Sequence, residues 1–104
     1  MATYGYVRRQ HPLPTNDQLK IVVDYDCQEI FIDSANYQQT EEFERLLSHL
    51  KPGDTVIIPS LQVFAASAAD ISNILKRLRQ KEIQLISWST QLHLNYYKRT
   101  AGLL

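Results

Sequence analysis

The chain has 104 residues, of which 44% are hydrophobic and 21% charged, and its formal net charge is zero. This composition excludes a disordered chain and indicates one domain with a single core. Its apolar runs are too short to cross a bilayer, and no charged segment precedes an apolar one at the N-terminus. Cys27 is the single cysteine, which excludes an internal disulfide and favours the cytoplasm.

Charge is divided unevenly along the chain. Residues 1–50 hold four Lys or Arg against eight Asp or Glu, whereas residues 51–104 hold seven against three. A dedicated nucleic-acid module is usually basic overall, so the neutral total argues against one. The basic second half could still face phosphate or an acidic partner.

In the first part of the chain, a strand-like pattern of residues is followed by the apolar spacing of a helix. Thr3–Val7 is rich in aromatic and β-branched residues and predicts a strand. Thr15 and Gln18 have the Thr-x-x-Gln spacing of a capping box. A helical face is then predicted from three apolar positions, Leu19, Val22 and Val23.

The later elements continue the alternation. Strands are predicted at Glu29–Asp33, Thr55–Pro59 and Ile83–Trp88. Apolar side chains at helical spacing predict two more helices, with the inward positions Phe43, Leu46, Leu47 and Leu50 in one and Ile71, Ile74, Leu75 and Leu78 in the other. Lys51–Asp54 predicts the turn between helix and strand.

This order predicts an α/β fold. Successive strand–helix–strand units form right-handed crossovers, which make neighbouring strands parallel. We therefore expect three layers, with a mainly parallel sheet of four or more strands and helices on both faces.

The segments after the predicted strands carry little chemistry. Ligands gather at the carboxyl ends of parallel strands, yet residues 34–40 and 60–67 contain no Asp, Glu, His, Lys or Arg. No glycine-rich phosphate loop follows a strand. His11, His49 and His93 lie on separate elements, so no metal, cofactor or small-molecule substrate is expected.

Several motifs together resemble the N-terminal catalytic domain of the serine recombinases, the resolvases and DNA invertases. Tyr6–Gln10 stands where the family has Tyr-Ala-Arg-Val-Ser, and Gly53-Asp54 leads into the third strand as in the family. Thr100–Leu104 resembles the start of the family's long dimer helix. The resemblance covers nearly the whole chain and implies a single domain over residues 1–104, without that long helix or a helix-turn-helix domain. A start at Met1 without tag-like residues favours a native short protein over an excised domain.

The resemblance also implies a chemistry, which the motif residues contradict. Family members attack a DNA phosphodiester with a serine hydroxyl, and an arginine cluster offsets the charge of the transition state. Gln10 takes the nucleophile's position, and Arg8 is the single arginine left of four. The degenerate positions are Arg8, Gln10, Thr40, Gln62, Val63 and Ala66. We therefore expect no catalytic residue and no enzymatic activity.

Other nucleophiles have weaker support. His11 adjoins Gln10, but no nearby carboxylate is placed to orient it. Ser60 and Ser67 are candidates by residue type, and Ser67 precedes a helix as a cap would. Cys27 is interpreted as a small core residue.

Candidate binding residues lie at both ends of the chain. Arg8 and Arg9 could bind an anion or form salt bridges with acidic residues. Lys76–Lys81 could contact nucleic acid, although basic residues also suit a helix C-terminus. A possible interface, or a cover for the domain's own core, is predicted at Tyr96, Tyr97, Lys98, Arg99, Leu103 and Leu104.

The functional expectation is an inactive resolvase-like domain that acts by protein association. The expected partner is a second copy in a homodimer, or else a recombinase or a regulator. DNA binding as an accessory or regulatory protein is the first alternative, and a recombinase with a non-standard nucleophile is the second.

Overall fold

The computed structural model describes residues 1–88, and residues 89–104 lie outside the described part. Strands and helices alternate, as the sequence predicts. The strands are β1 (Thr3–Arg8), β2 (Glu29–Asp33), β3 (Thr55–Ile58) and β4 (Gln84–Ser87). The helices are α1 (Thr15–Val23), α2 (Glu41–His49) and α3 (Ala68–Gln80), with a 3-10 turn at Leu61–Val63 after β3.

The four strands form one parallel sheet in the order β2-β1-β3-β4. In the register between β1 and β2, Tyr6 lies beside Phe31 and Arg8 beside Asp33. Because all strands run in one direction, the loops that follow them meet at one edge of the sheet. That edge carries the candidate site.

Alternation along the strands divides the core into two layers of side chains. On one face, α2 and α3 pack against a cluster that contains Tyr6 and Phe31. On the other face, α1 packs through Val22 against Val7 and Ile57. The predicted three-layer α/β architecture is confirmed.

The predicted inward faces of α2 and α3 are confirmed as well. Leu46 and Leu78 are fully buried, Leu47 is 5% exposed, and Ile74 packs against the same cluster while partly buried. Each fully buried aliphatic side chain contributes about 1.5–3 kcal/mol relative to an exposed one. This packing holds the two helices on their face of the sheet.

Two predictions for α1 are wrong. The residue at its N-cap is Pro14 and not Thr15, so the Thr-x-x-Gln spacing forms no capping box. Gln18 is instead fully buried, and its side-chain amide donates to the carbonyl oxygens of Arg8 and Leu13, both at 2.6 Å. Val23 is 59% exposed, because it lies one position beyond the buried Val22 and points away from the sheet.

The turn before β3 is held by Asp54. Its carboxylate accepts hydrogen bonds at 2.9 Å from the backbone N–H groups of Ala2 and Lys51. These two bonds lower the pKa of Asp54. Gly53 has a φ of 93°, a left-handed conformation that favours glycine. The Gly-Asp step thus joins the start of β1 to the turn that leads into β3.

Cys27 follows α1 and packs against the cluster beneath that helix. Its Sγ donates to the carbonyl oxygen of Val22 at 3.3 Å, and burial raises the pKa of the thiol. These contacts agree with the interpretation of Cys27 as a core residue. Among residues 1–88, no helix is long and apolar enough to cross a membrane.

Candidate functional site

Arg8 lies at the centre of the candidate site. It ends β1 on the face covered by α2 and α3, and its exposed fraction is 0%. The guanidinium Nε donates to the carbonyl oxygen of Val63 at 2.7 Å. Nη1 donates to the carbonyl oxygens of Ser34 at 2.8 Å and Asn36 at 3.1 Å, with Gln39 further away at 3.3 Å. One side chain thus connects the loop after β2 to the segment after β3.

Tyr6 and Asp33 complete the buried polar centre. The Tyr6 hydroxyl accepts from Arg8 Nη2 at 2.9 Å and donates to Asp33 Oδ2 at 2.7 Å. Burial, and then the bond to Asp33, raise the pKa of Tyr6. Within residues 1–88 the Arg8 guanidinium forms no ion pair, and its link to Asp33 runs through this hydroxyl.

Asp33 also caps α2. Its carboxylate oxygens accept from the backbone N–H groups of Glu42 and Phe43, both at 3.0 Å. Thr40, the residue at the N-cap, makes no side-chain capping bond. The cap therefore comes from the end of a strand rather than from the residue before the helix, and it satisfies the first N–H groups of α2.

The half-buried Tyr37 packs its ring against the Arg8 guanidinium. The Arg8 Cζ atom lies 4.8 Å from the centroid of the Tyr37 ring. The Tyr37 hydroxyl donates to the carbonyl oxygen of Gln62 at 2.6 Å, and the ring meets His11 edge-on at 5.3 Å between centroids. Tyr37 thereby bridges the same two segments as Arg8.

Gln10 lies just beyond this centre and is exposed. Its φ of 56° is a left-handed conformation, uncommon for a residue other than glycine. The backbone N–H of Gln10 donates to Thr15 Oγ1, and Thr15 N–H donates to Gln10 Oε1, both at 3.0 Å. The Gln10 side chain thus caps the start of α1.

The other positions predicted to be degenerate differ in their burial. Val63 is fully buried, and its carbonyl oxygen meets Arg8. Gln62 and Ala66 are exposed, and Thr40 is half-buried at the start of α2. The structure brings Arg8 and Val63 together, but none of these four positions places a second cation near Arg8.

The remaining candidates have structural partners. Ser67 accepts from Asp70 N–H at 3.2 Å, which confirms it as the cap of α3. Ser60 likewise accepts from Gln62 N–H at 3.2 Å. Arg9 is exposed, and its backbone N–H donates to the carbonyl oxygen of Asp33.

Basic residues at the C-terminal end of α3 are exposed, and Arg77 pairs with Glu44 at 3.3 Å. In the part of the chain that the structure describes, no group of three His, Cys, Asp or Glu could hold a metal ion. His93 lies outside the described residues. The predicted interface also lies outside them, and its residues are Tyr96, Tyr97, Lys98, Arg99, Leu103 and Leu104.

Sequence reasoning missed three residues of this centre, Tyr6, Asp33 and Tyr37. Tyr6 could have been found, because strand alternation places it on the same face as Arg8. Asp33 is the last residue of β2 and directly precedes residues 34–40, the uncharged segment in which a site was expected. Tyr37 gave no signal in sequence, because its contacts depend on how two loops meet.

The four-stranded parallel sheet in the order β2-β1-β3-β4, with helices on both faces, has the α/β fold of the resolvase catalytic domain. The sequence matches the family described as "Resolvase, N terminal domain" over residues 4–103. The chain therefore belongs to this family of serine recombinases.

Individual relatives agree with this assignment. A "Resolvase" of Clostridium perfringens (strain 13 / Type A) is 31% identical over 70 residues, which cover 64% of this chain and 37% of that protein. A second "Resolvase" of Clostridium perfringens is 33% identical over the same length and share. The alignment thus spans little more than a third of the relatives' length.

A solved structure gives the same fold. The N-terminal catalytic domain of TP901-1 integrase superposes with a TM-score of 0.70 over 97% of this chain and 94% of that one. Its sequence identity is 15%, so the likeness concerns the fold alone.

Proposed function

We propose that this chain is a non-catalytic serine recombinase domain that acts by protein association. The observation that carries the proposal is the residue at position 10. The resemblance of Tyr6–Gln10 to the family's Tyr-Ala-Arg-Val-Ser motif implies that Gln10 replaces the serine nucleophile. A carboxamide cannot form the ester that a serine hydroxyl forms with phosphate, and this one is engaged with Thr15.

The surroundings of Gln10 support the same conclusion. Phosphoryl transfer needs preorganised donors or cations where negative charge develops. The aligned arginine positions Thr40, Val63 and Ala66 carry no charge, and the donors of Arg8 are directed at carbonyl oxygens within the protein. A phosphodiester at this edge would meet few free donors.

A nicking assay tests the loss of catalysis. Supercoiled DNA with family-type crossover sites should stay supercoiled with the wild-type chain and with Gln10→Ser, because the serine alone does not restore the cations. Gln10→Ala is the matched control, and a competent serine recombinase shows that the DNA is cleavable. Nicking by Gln10→Ser but not by Gln10→Ala would refute the claim that cleavage also needs the missing arginines.

A surface for association lies beside α1. Val23 is 59% exposed and Trp88 is 45% exposed. Beside Trp88, an open cleft of about 310 Å³ is lined by Lys20, Ile21, Asp24, Tyr25 and Trp88. Large apolar and aromatic side chains on an open face are typical of protein interfaces. We call these lining residues, with Val23, the α1 surface.

The charges of the α1 surface favour a second copy as the partner. Lys20 and Asp24 are exposed, and neither forms an ion pair within residues 1–88. A two-fold interface brings one patch against itself, so Lys20 of one copy can face Asp24 of the other. A homodimer with two such ion pairs around the apolar side chains fits this pattern.

Charge reversal tests the dimer by sedimentation at several concentrations. Lys20→Asp and Asp24→Lys should each weaken dimerisation by about tenfold or more, because like charges then face each other. The double variant should recover most of it, since opposite charges face each other again. Lys76→Asp on α3 is the matched control and should leave it unchanged. A wild-type chain that stays monomeric, or a double variant no better than the singles, would contradict this arrangement.

An alternative function is DNA binding by the exposed basic residues at the C-terminal end of α3. Lys76, Arg79 and Lys81 are exposed there, and phosphate contacts by such residues weaken steeply with salt. Duplex DNA added to the same sedimentation experiment separates the two functions. Salt-sensitive co-sedimentation that Lys76→Asp reduces would favour the DNA-binding role.

A further inference from the structure

We infer that Arg8 and Tyr37 form a closed latch that keeps outside anions from the polar centre at the carboxyl edge of the sheet. In this latch the protein's own carbonyl groups accept the hydrogen bonds of the guanidinium, and the Tyr37 ring packs over it. The latch comprises Arg8, Tyr37 and the carbonyl groups of Ser34, Gln62 and Val63.

The guanidinium donors of Arg8 form hydrogen bonds within the protein. Arginine offers five N–H donors in a fixed plane. Those of Arg8 meet the carbonyl oxygens of Val63 and Ser34 and the hydroxyl of Tyr6, all within 2.9 Å. Since a buried charge without partners is costly, these bonds make the complete burial of Arg8 tolerable.

The exclusion of an anion requires more than these bonds. Carbonyl oxygens are weaker acceptors than the ionised oxygens of phosphate, which form charge-assisted hydrogen bonds with guanidinium groups. Phosphate would therefore compete well with Ser34 and Val63 if it reached Arg8. Exclusion thus depends on access to the guanidinium rather than on a lack of attraction.

Tyr37 is the cover of the guanidinium. Its ring faces the guanidinium at 4.8 Å, and its hydroxyl reaches Gln62 at 2.6 Å across the gap between two segments. Tyr37 lies in the connection between β2 and α2 and is half-buried. Such connections open at lower free energy than the core, so Arg8 becomes accessible when this segment moves and the bond to Gln62 breaks.

The latch shares one observation with the proposed function, the engagement of Arg8 by carbonyl groups of the protein, but the loss of catalysis is carried by Gln10 and the two can fail separately. The latch is a property of the protein without DNA, whereas the proposed function concerns cleavage and association. A covalent DNA adduct would refute the loss of catalysis and leave the latch standing. Ready binding of phosphate at Arg8 would do the reverse.

Arginine side-chain NMR tests the latch directly. The Nε–H signal of Arg8, assigned by its loss in Arg8→Lys, should exchange slowly with water. It should not move when inorganic phosphate is added at matched ionic strength, whereas the exposed Arg9 and Arg79 exchange fast. A phosphate-dependent shift of Arg8 in the wild-type protein, or exchange as fast as that of Arg9, would overturn the inference.

Variants of Tyr37 test the cover. Tyr37→Phe loses one hydrogen bond and keeps the ring, so Arg8 Nε–H exchange should rise by about fivefold. Tyr37→Ala loses both, so exchange should rise further and phosphate should shift the Arg8 signal. Ile86→Ala, which truncates a half-buried side chain on the face of the sheet covered by α1, is the control and should change neither.

Two results of the variants would refute the role of Tyr37. One is unchanged Arg8 exchange in Tyr37→Phe together with no phosphate response in Tyr37→Ala. The other is an equal response in Ile86→Ala. If Tyr37→Ala does not fold, as judged by circular dichroism, Tyr37→Leu replaces it with the same expected phosphate shift and the same refuting result.

Discussion

Arg8 and Asp33 are neighbours across β1 and β2, yet they are linked through a tyrosine rather than directly. The Tyr6 hydroxyl links the two groups, because it accepts a hydrogen bond from the Arg8 guanidinium and donates one to the Asp33 carboxylate. The carboxylate then has its remaining capacity directed at the first N–H groups of α2. At the scale of residues, strand alternation places three polar side chains where each satisfies the next, and this makes their burial possible.

Replacing Asp33 by alanine should lower the free energy of unfolding by about 2–3 kcal/mol. The change removes the cap of α2 and leaves the Tyr6 hydroxyl without its acceptor. Thr40→Ala is the matched control, since Thr40 is at the N-cap without a capping bond, and it should change stability by about 0.5 kcal/mol or less. Urea denaturation of both variants measures the difference. Equal losses would show that Asp33 is not the cap.

Asp54 should make stability depend on pH in acid. Its pKa is lowered by the N–H groups of Ala2 and Lys51, so its stabilisation is present above the ordinary Asp pKa of about 3.9. That stabilisation is lost as the pH falls through the lowered value. Asp54→Asn should therefore be less stable than the wild type at pH of about 7 and approach it below about pH 4.

The measurement for Asp54 is a series of urea denaturations across this pH range. Asp70→Asn, an exposed carboxylate on α3, is the control and should stay close to the wild type. A constant gap between Asp54→Asn and the wild type at every pH would show that the Asp54 contribution does not come from its charge.

At the scale of elements, short sequence patterns predicted the features whose contacts lie within a few residues of each other in the chain. Helical spacing located α2 and α3, and Ser67 was recognised as a cap because its partner lies three residues away. The cap of α2 was not predicted, because Asp33 reaches it from the preceding strand. The capping box at Thr15 failed because Gln18 finds better partners in Arg8 and Leu13, which only the folded chain brings close. Distant partners thus override a local pattern.

At the scale of the whole molecule, the parallel sheet gathers three loops at one edge, and the proposed loss of catalytic residues concerns that edge. The fold class followed from the alternation of strands and helices, and the family followed from the order of its degenerate motifs. The absence of charged residues from segments 34–40 and 60–67 is evident from the sequence alone. The enclosure of Arg8 could not be predicted, because Tyr37 and Val63 approach it from segments 29 and 55 residues away in the chain.

Intact-protein mass spectrometry shows whether the chain forms a covalent link to DNA. The chain is incubated with supercoiled DNA that carries family-type crossover sites, the DNA is digested, and the protein is weighed. We predict only the unmodified mass, because Gln10 cannot form a phosphoester and the donors of Arg8 are engaged within the protein. A mass increased by a covalently linked nucleotide would contradict the account.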